Sequence, residues 1–302
     1  MADSYNQSDK AYRRSLMIHS TIRLVVCIIL TIICLFPLYV IISNATRNHN
    51  DILKGGVAFF GDALPKNIET INSPTKFAGF FKTQFLLWDG YRNSLIISAI
   101  STLFTVFFSG MTAYGLVVYD FKAKKVATNF ILAVMMVPMQ VVSTGFLQFM
   151  YELHLVGGPQ SYIALILPSV AAPSVVFYIL QYMRSSFPLE IVEAARIDGC
   201  GEFRTFLQIS LPIFKPAFAV QAIFAFVTSL NNYYNPAMLL GSADSNLKTM
   251  PMMVQAVLSA DKLSDYGAKY LVILLSILPI IVVYLCLSKF IVKGVALGAV
   301  KG

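Results

Sequence analysis

The chain has 302 residues, of which 57% are apolar and only 13% are charged, whereas about a quarter of the residues of a soluble protein are charged. A soluble fold with so few charges would aggregate, so the composition excludes ordinary water-soluble domains and predicts a protein whose apolar surface faces lipid. The formal net charge of +8 does not indicate nucleic-acid binding, because the basic residues lie mostly beside and between long apolar runs, where they orient a chain in a membrane.

Six apolar segments are long enough to cross a bilayer, which takes about 20 mainly apolar residues in a helix. They lie at about 23–43, 93–118, 126–150, 160–183, 213–235 and 270–291. Charged residues are absent from the interiors of these segments and occur only at the edges, where a long side chain reaches the headgroups. The sequence therefore predicts an all-α membrane protein, with a segment 1–22 ahead of a domain of six transmembrane helices at 23–302.

Prolines interrupt several of these segments. They include Pro138, Pro168, Pro173 and Pro279 in the later predicted spans. They are expected to kink or break their helices, because proline lacks the amide hydrogen and its ring collides with the preceding turn. The first segment also contains Pro37 and is longer than the roughly 7–15 residues of a signal-peptide core. A retained helix is therefore expected there rather than a cleaved signal.

The orientation follows from the short loops. An even number of spans places both termini on the same side of the membrane. Loop 119–125 contains three lysines, whereas loop 151–160 contains no Lys or Arg. Because Lys and Arg in short loops mark the cytoplasmic side, loop 119–125 and both termini are predicted to be cytoplasmic. Segment 184–212 is then also inside, and segments 44–92 and 236–269 are outside.

The inner segment 184–212 has the pattern of a helix–turn–helix. Pro188 fits a first helical turn, and the residues as far as Asp198 are good helix formers. Gly199 then lies where a helix ends with a positive φ, which glycine adopts most easily. A second short helix is predicted at 201–210, ending before Pro212 because a residue that precedes proline disfavours the helical conformation.

The surface of this loop favours a protein partner. Ala194 and Ala195 are predicted to form a flat patch of small side chains, beside which Glu193 can accept a hydrogen bond from a basic partner. The alternative is an amphipathic helix that rests on headgroups. Such helices favour Lys and Arg on the polar face, whereas this loop is rich in acids, so docking to a protein is the preferred interpretation.

The loop resembles the EAA loop of binding-protein-dependent ABC import permeases, in residue type and in spacing. The matching residues are Glu193, Ala194, Ala195, Gly199, Ile209, Leu211 and Pro212. The resemblance implies that this coupling helix–turn–helix, between the fourth and fifth spans, docks in a cleft of an ATPase subunit. It also implies that the loop transmits nucleotide-driven motion to the pore.

Further stretches are similar to the carbohydrate-uptake branch of this family, in its maltose-type second permease subunit. They are Met135–Pro138 and Ala164–Pro168, together with the closing residues Val300, Lys301 and Gly302. In that subunit the closing residues form a tail that reaches into the ATPase dimer, so the same contact is expected of these three.

The resemblance implies a multi-pass permease of a prokaryotic plasma or inner membrane, which forms half of a translocation pathway for a sugar or oligosaccharide. It implies four kinds of partner: a second permease subunit in a heterodimer, two ATPase subunits, an extracellular or periplasmic sugar-binding protein, and membrane lipid. ATP and Mg are expected on the ATPase subunits only. This chain has no GxxxxGK[ST] loop and no paired histidines, so no cofactor, metal, enzymatic activity or nucleic-acid partner is expected of it.

Polar residues in two spans are candidates for the substrate pathway, since a neutral sugar needs amides, hydroxyls and aromatic faces. They are Gln140, Thr144, Gln148, Asn231, Asn232, Tyr233 and Tyr234. The alternative for each is that it only ties one helix to another. Two other functions stay open, namely an ABC permease for a non-sugar solute and a secondary transporter. The second is disfavoured because the span interiors contain no ionisable Asp, Glu, Lys or Arg.

Overall fold

A computed structural model describes residues 2–56, 59–72, 87–259 and 265–299. All regular secondary structure in these ranges is helical, which confirms the predicted all-α fold. The chain divides into two compact units. The first unit consists of residues 1–73 and 262–274, and the second of residues 74–261 and 275–302.

The first unit is built on α1 (Ala2–Ala45), a helix of 44 residues that continues through Pro37. Two short helices follow, α2 (His49–Leu53) and α3 (Leu64–Asn72). The buried amide of Asn67 in α3 donates to the carbonyl oxygen of Ala45 at 2.8 Å. This hydrogen bond holds α3 against the end of α1.

The second unit contains the other helices and the larger part of the last one. They are α4 (Leu87–Val118), α5 (Lys124–Met135), α6 (Met139–Glu152), α7 (Ser161–Ile166), α8 (Pro173–Ser186), α9 (Glu190–Ile197), α10 (Glu202–Thr205), α11 (Leu211–Ile213), α12 (Lys215–Leu230), α13 (Tyr234–Leu240), α14 (Met250–Leu258) and α15 (Tyr266–Ala299). Residues 266–274 of α15 belong to the first unit.

Four described helices are long and apolar enough to cross a membrane. They are Leu16–Ala45, Trp88–Val118, Ser161–Ser186 and Tyr266–Cys286. A fifth is obtained if Glu202–Ile213 and Lys215–Leu230, which meet at 84°, count as one bent span. The described part of the chain therefore has four to five membrane-capable helices.

The predicted third span at 126–150 consists of two helices, with the break at the proline where the sequence predicts one. These are α5 and α6, of 12 and 14 residues, and each is shorter than the roughly 20 residues that a crossing needs. They are separated at Pro138, whose backbone is extended with ψ 128°. The proline lacks the amide that would continue α5, and its ring disfavours a helical residue before it.

Of the other prolines, Pro168 and Pro173 interrupt a helical segment as expected, whereas the helix continues through Pro279. Pro168 lies in a 3-10 turn at Leu167–Val170, and Pro173 begins α8 after a non-helical break. Pro279 lies inside α15. The predicted fifth and sixth spans also shift in their bounds, because α12 ends at Leu230 and α15 extends beyond both ends of 270–291.

Helix α4 lies at the centre of the second unit, where α8, α12 and α14 pack against it. One stripe of α4 carries small polar side chains that are buried at spacings of three or four residues. They are Ser94, Ser98, Ser101, Thr105 and Ser109. Thr105 donates to the carbonyl oxygen of Ser169 at 3.0 Å. Small polar residues allow helices to approach closely and to hydrogen-bond in a bilayer.

Gly110 marks the closest approach of α4 to α12. A Cβ atom at this position would lie 2.7 and 2.8 Å from two ring carbons of Phe218, a side chain that is itself buried. Gly110→Ala is therefore expected to destabilise the protein by about 1–3 kcal/mol through overpacking, measured as a lower thermal unfolding midpoint in detergent.

The matched control is Gly145→Ala in α6, where an added Cβ would meet no atom within 4 Å. Since alanine is the better helix former, this variant should keep or raise the midpoint. Equal midpoints for the two variants would contradict the predicted contact between α4 and α12.

Candidate functional site

The inner loop folds as two helical pieces joined at one glycine, as predicted. Helix α9 ends at Ile197, and Gly199 has φ +76°. The amides of Gly199 and Cys200 donate to the carbonyl oxygens of Arg196 and Ala195 at 3.0 and 2.9 Å. These bonds satisfy the last carbonyl groups of α9, and the positive φ explains why glycine stands at this position.

The predicted end of the second helix before Pro212 is wrong. A π-helical stretch at Phe206–Ser210 follows α10, and Leu211 keeps helical angles of φ −60° and ψ −43°. Helical structure then continues through Pro212 to Ile213. The π-helical stretch shifts the hydrogen bonds by one residue and widens the turn. This widening accommodates the proline ring without ending the helix.

The two alanines of the loop face different surroundings. Ala194 is exposed together with Glu193 and Gly199, whereas Ala195 is only 5% exposed. Successive residues of an α-helix point about 100° apart, so one surface cannot present both. The predicted patch of two alanines is therefore wrong as a flat surface. Ile197, which is 86% exposed, extends the exposed surface beside Ala194.

The residues at the end of the motif are partly accessible. Ile209 and Leu211 are half-buried, and Pro212 is exposed. These three follow Phe206, which is buried in the apolar core of the second unit. The distal part of the motif thus lies where the loop joins the helices of the spans.

Three side chains brace the loop against the end of α4. Arg196 of α9 donates through Nε to Oε1 of Glu202 at 2.7 Å, and the hydroxyl of Tyr119 donates to Oε2 of the same carboxylate at 2.7 Å. The Arg196 guanidinium also lies 5.8 Å from the centre of the Tyr119 ring. One carboxylate thereby connects both helical pieces of the loop to the residue that follows α4.

The electrostatics agree with an ionised carboxylate in this brace, which lies outside the predicted spans. The hydrogen bond from Arg196, followed by the one from Tyr119, lowers the pKa of Glu202. Partial burial, followed by the bond to Glu202, raises the pKa of Tyr119 to about 12. A lowered carboxylate pKa means that the brace is intact at neutral pH and is lost only as the pH falls through that pKa.

An aromatic cluster anchors the loop to the helices beneath it. The ring centres of Phe187 and Phe214 lie 4.9 Å apart, and those of Tyr114 and Phe206 lie 5.3 Å apart. Val192 of α9 joins the same core with 1% exposure. Because aromatic pairs add to the stabilisation from area burial alone, these contacts fix the loop to α4 and to the start of α12.

A cavity of about 300 Å³ contains two of the candidate pathway residues, Asn231 and Tyr233. The described residues that line it are Tyr91, Ser94, Leu230, Asn231, Tyr233, Met250, Pro251, Val254, Gln255, Ser276 and Pro279. Tyr91 and Gln255 are polar members that sequence reasoning missed. Tyr91 fell in a predicted outer segment, and no periodicity in the sequence connects it to Gln255.

The other candidate pathway residues do not line this cavity. Tyr234 lies 3.2 Å from the hydroxyl oxygen of Ser143, and Asn232 accepts from the amide of Asn235 at 3.3 Å. Both therefore have local partners. Thr144 and Gln148 are exposed. The side chain of Gln140 lies outside the described residues, and so do Val300, Lys301 and Gly302.

Comparison with known proteins places the chain in a family. Residues 105–297 match the binding-protein-dependent transport system inner membrane component family. The arabinooligosaccharides transport system permease protein of Bacillus subtilis (strain 168) is 32% identical over 280 residues, which cover 90% of this chain and 92% of that protein. The trehalose/maltose transport system permease protein of Thermococcus litoralis is 29% identical over 279 residues, which cover 91% and 94%.

A chain with a similar fold is present in a solved structure. This is the crystal structure of a bacterial ABC transporter involved in the import of the acidic polysaccharide alginate. The TM-score is 0.72 at 19% identity, over 91% of this chain and 97% of that one. At this identity the likeness concerns the fold alone.

The chain belongs to the family of binding-protein-dependent transport system inner membrane components. The resemblance inferred from the inner loop is thus confirmed. The predicted membrane location is confirmed as well, and so is the prediction that the chain is a transport component rather than an enzyme.

The brace can be tested with Glu202→Gln, which keeps the shape of the side chain and removes its charge. Backbone amides of residues 190–213 should exchange with deuterium roughly two- to fivefold faster, the range expected when an exposed ion pair is lost. Mass spectrometry of the exchanged peptides provides the measurement.

Glu190→Gln serves as the control, because Glu190 is exposed on the same loop and forms no ion pair within the described ranges. Its exchange should match that of the unmodified protein. If Glu202→Gln also exchanges at the unmodified rate, the carboxylate does not brace the loop.

Proposed function

We propose that this chain is a permease subunit of an ATP-driven ABC importer and forms half of the membrane pathway for a sugar or oligosaccharide. The proposal rests on one observation above all. The inner loop presents Glu193, Ala194 and Gly199 to solvent on a helix–turn–helix that is packed onto α4. The sugar assignment is supported by the two permease relatives, whose names specify arabinooligosaccharides and trehalose or maltose.

The proposed topology has six spans with both termini in the cytoplasm. Four single helices and one bent pair supply five of the spans. The sixth is the broken pair of α5 and α6, which together cover 124–152. Helix breaks at membrane depth are tolerated where neighbouring helices or a water-filled cavity satisfy the freed backbone groups. The lysines of loop 119–125 support the orientation.

The proposed energy source is a pair of ATPase subunits, which hold the ATP and Mg. The exposed side of α9 would enter a cleft of one of them, with Glu193 accepting from a basic side chain there. Val300, Lys301 and Gly302 are proposed to reach the ATPase dimer as well. A second permease subunit would complete the pathway, and a sugar-binding protein outside the membrane would deliver the cargo.

Docking at α9 predicts that Ala194→Trp weakens binding of the ATPase roughly tenfold or more, or about 1.4 kcal/mol, because the indole occupies the space the partner needs. The assembled transporter should lose ATPase on purification in mild detergent, while the permease still inserts in the membrane. The measurement is the ratio of ATPase to permease in the purified complex, together with sugar uptake.

Ser185→Trp is the matched control, since Ser185 is another exposed small residue and lies near the end of α8, outside the motif. It should retain the ATPase. A full complement of ATPase bound to the Ala194→Trp complex, with normal uptake, would contradict docking at this surface.

The proposed orientation is tested with single cysteines in a variant whose four native cysteines are replaced by alanine. Lys122→Cys and Glu152→Cys place one exposed thiol in each of the two short loops. In right-side-out vesicles, a membrane-impermeant maleimide should label position 152 at once and position 122 only after detergent opens the membrane. The reverse pattern would invert the topology and remove the coupling loop from the cytoplasm.

A further inference from the structure

We propose that the cavity between α4, α12, α14 and α15 binds one unit of a neutral sugar, and that Tyr91, Asn231 and Gln255 determine which sugar it accepts. This inference rests on the proposed importer function and assigns the recognition of cargo to particular side chains of this chain. The cavity lies entirely within the second unit.

The size of the cavity limits its occupant. Its volume of about 300 Å³ is at the lower end of the roughly 300–1,000 Å³ found for small-molecule sites. A cavity at this lower end suits a single sugar unit, so a longer oligosaccharide would pass through it one unit at a time.

A buried hydroxyl group without a hydrogen-bond partner in the cavity wall indicates a ligand with hydroxyl groups. The hydroxyl of Tyr91 is buried and has no hydrogen-bond partner in the described part of the chain. Most buried polar atoms have a partner, and an unpaired one is costly. A sugar hydroxyl can both donate to and accept from the Tyr91 oxygen. Occupation of the cavity would therefore satisfy a group that the empty protein leaves unpaired.

The rest of the lining matches the two kinds of surface that a sugar presents. The side-chain amides of Asn231 and Gln255 supply donors and acceptors for hydroxyl groups. Nε2 of Gln255 also donates to the hydroxyl of Ser259 at 3.2 Å, and its Oε1 can accept from a sugar. Tyr233 and the ring of Pro279 supply apolar surface for the C–H face. Among the described residues, the lining contains no Asp, Glu, Lys, Arg or His. A charged sugar would lose its hydration in the cavity without gaining an oppositely charged partner, and this desolvation is unfavourable. The cavity therefore selects neutral sugars over uronic acids.

The wall that carries these groups is held in place before any ligand arrives. The amide of Asn93 donates to the carbonyl oxygens of Asn246 and Lys248 at 2.7 and 3.0 Å. The amide of Met250 donates to the hydroxyl of Ser94 at 2.8 Å. These bonds attach the start of α14 to α4, so Tyr91 and Gln255 keep their separation. Such preorganisation reduces the entropy that binding must overcome.

The first test is Tyr91→Phe in the complete transporter, reconstituted with its partner subunits and binding protein. Arabinotriose, maltose and trehalose serve as probes, and the sugar carried fastest by the unmodified protein is used. Uptake should fall roughly three- to tenfold, the effect of one lost hydrogen bond, while ATP hydrolysis stimulated by the binding protein stays within about twofold. The control is Tyr151→Phe, because Tyr151 is 72% exposed and lies outside the cavity.

The second test is Gln255→Arg, which places a positive charge at an exposed position of the cavity wall. Saturation-transfer NMR on the purified complex, without the binding protein, should show binding of an alginate trisaccharide to this variant only. Gln181→Arg, at an exposed position of α8 outside the cavity, should show none. A side chain with a merely structural role would not change the choice between acidic and neutral sugars.

The possible outcomes distinguish a failure of the sugar-importer assignment from a failure of the cavity assignment. If the unmodified transporter carries none of the neutral probes, the sugar-importer assignment itself fails. If it carries one, but Tyr91→Phe transports that sugar at the unmodified rate and Gln255→Arg binds no acidic sugar, only the cavity assignment is overturned.

Discussion

Close packing around α4 is the constraint on which the second unit depends. Leaving lipid for another apolar surface stabilises a membrane helix little, so helices associate through close backbone approach and hydrogen bonds. Helix α4 provides both, through its stripe of small polar residues and through Gly110, against which Phe218 lies. Because α8 and α12 both pack on it, Tyr91 near its start and Tyr119 just after its end are held by one scaffold.

Features decided by local composition could be predicted from the sequence. A run of about 20 apolar residues without charge crosses a bilayer wherever it occurs, and this rule located the long helices. At 126–150 this rule gives the apolar segment but not its division into two helices, which Pro138 predicts instead. The rule that a helix ends before a proline failed at Pro212, since the π-helical stretch that carries the helix through this proline depends on neighbouring turns.

In the candidate site, too, some features could be predicted from the sequence and others could not. Gly199 was predictable because a positive φ at a helix end restricts the residue type. The burial of Ala195 beside an exposed Ala194 was not, since it depends on which side of α9 packs against the core. The brace and the cavity unite residues from distant parts of the chain, namely Tyr119 with Glu202 and Tyr91 with Gln255. No spacing rule reports such tertiary contacts.

The continuity of α4 has a mechanical consequence. Its 32 residues contain no proline, whereas α5 and α6 are separated at Pro138 and α7 and α8 by a non-helical break. A helix rises about 1.5 Å per residue, so the 28 residues from Tyr91 to Val118 span about 40 Å. An unbroken helix of this length resists bending, so its two ends move together as parts of one rod. The breaks at Pro138 and between α7 and α8 are places where the chain can change direction instead.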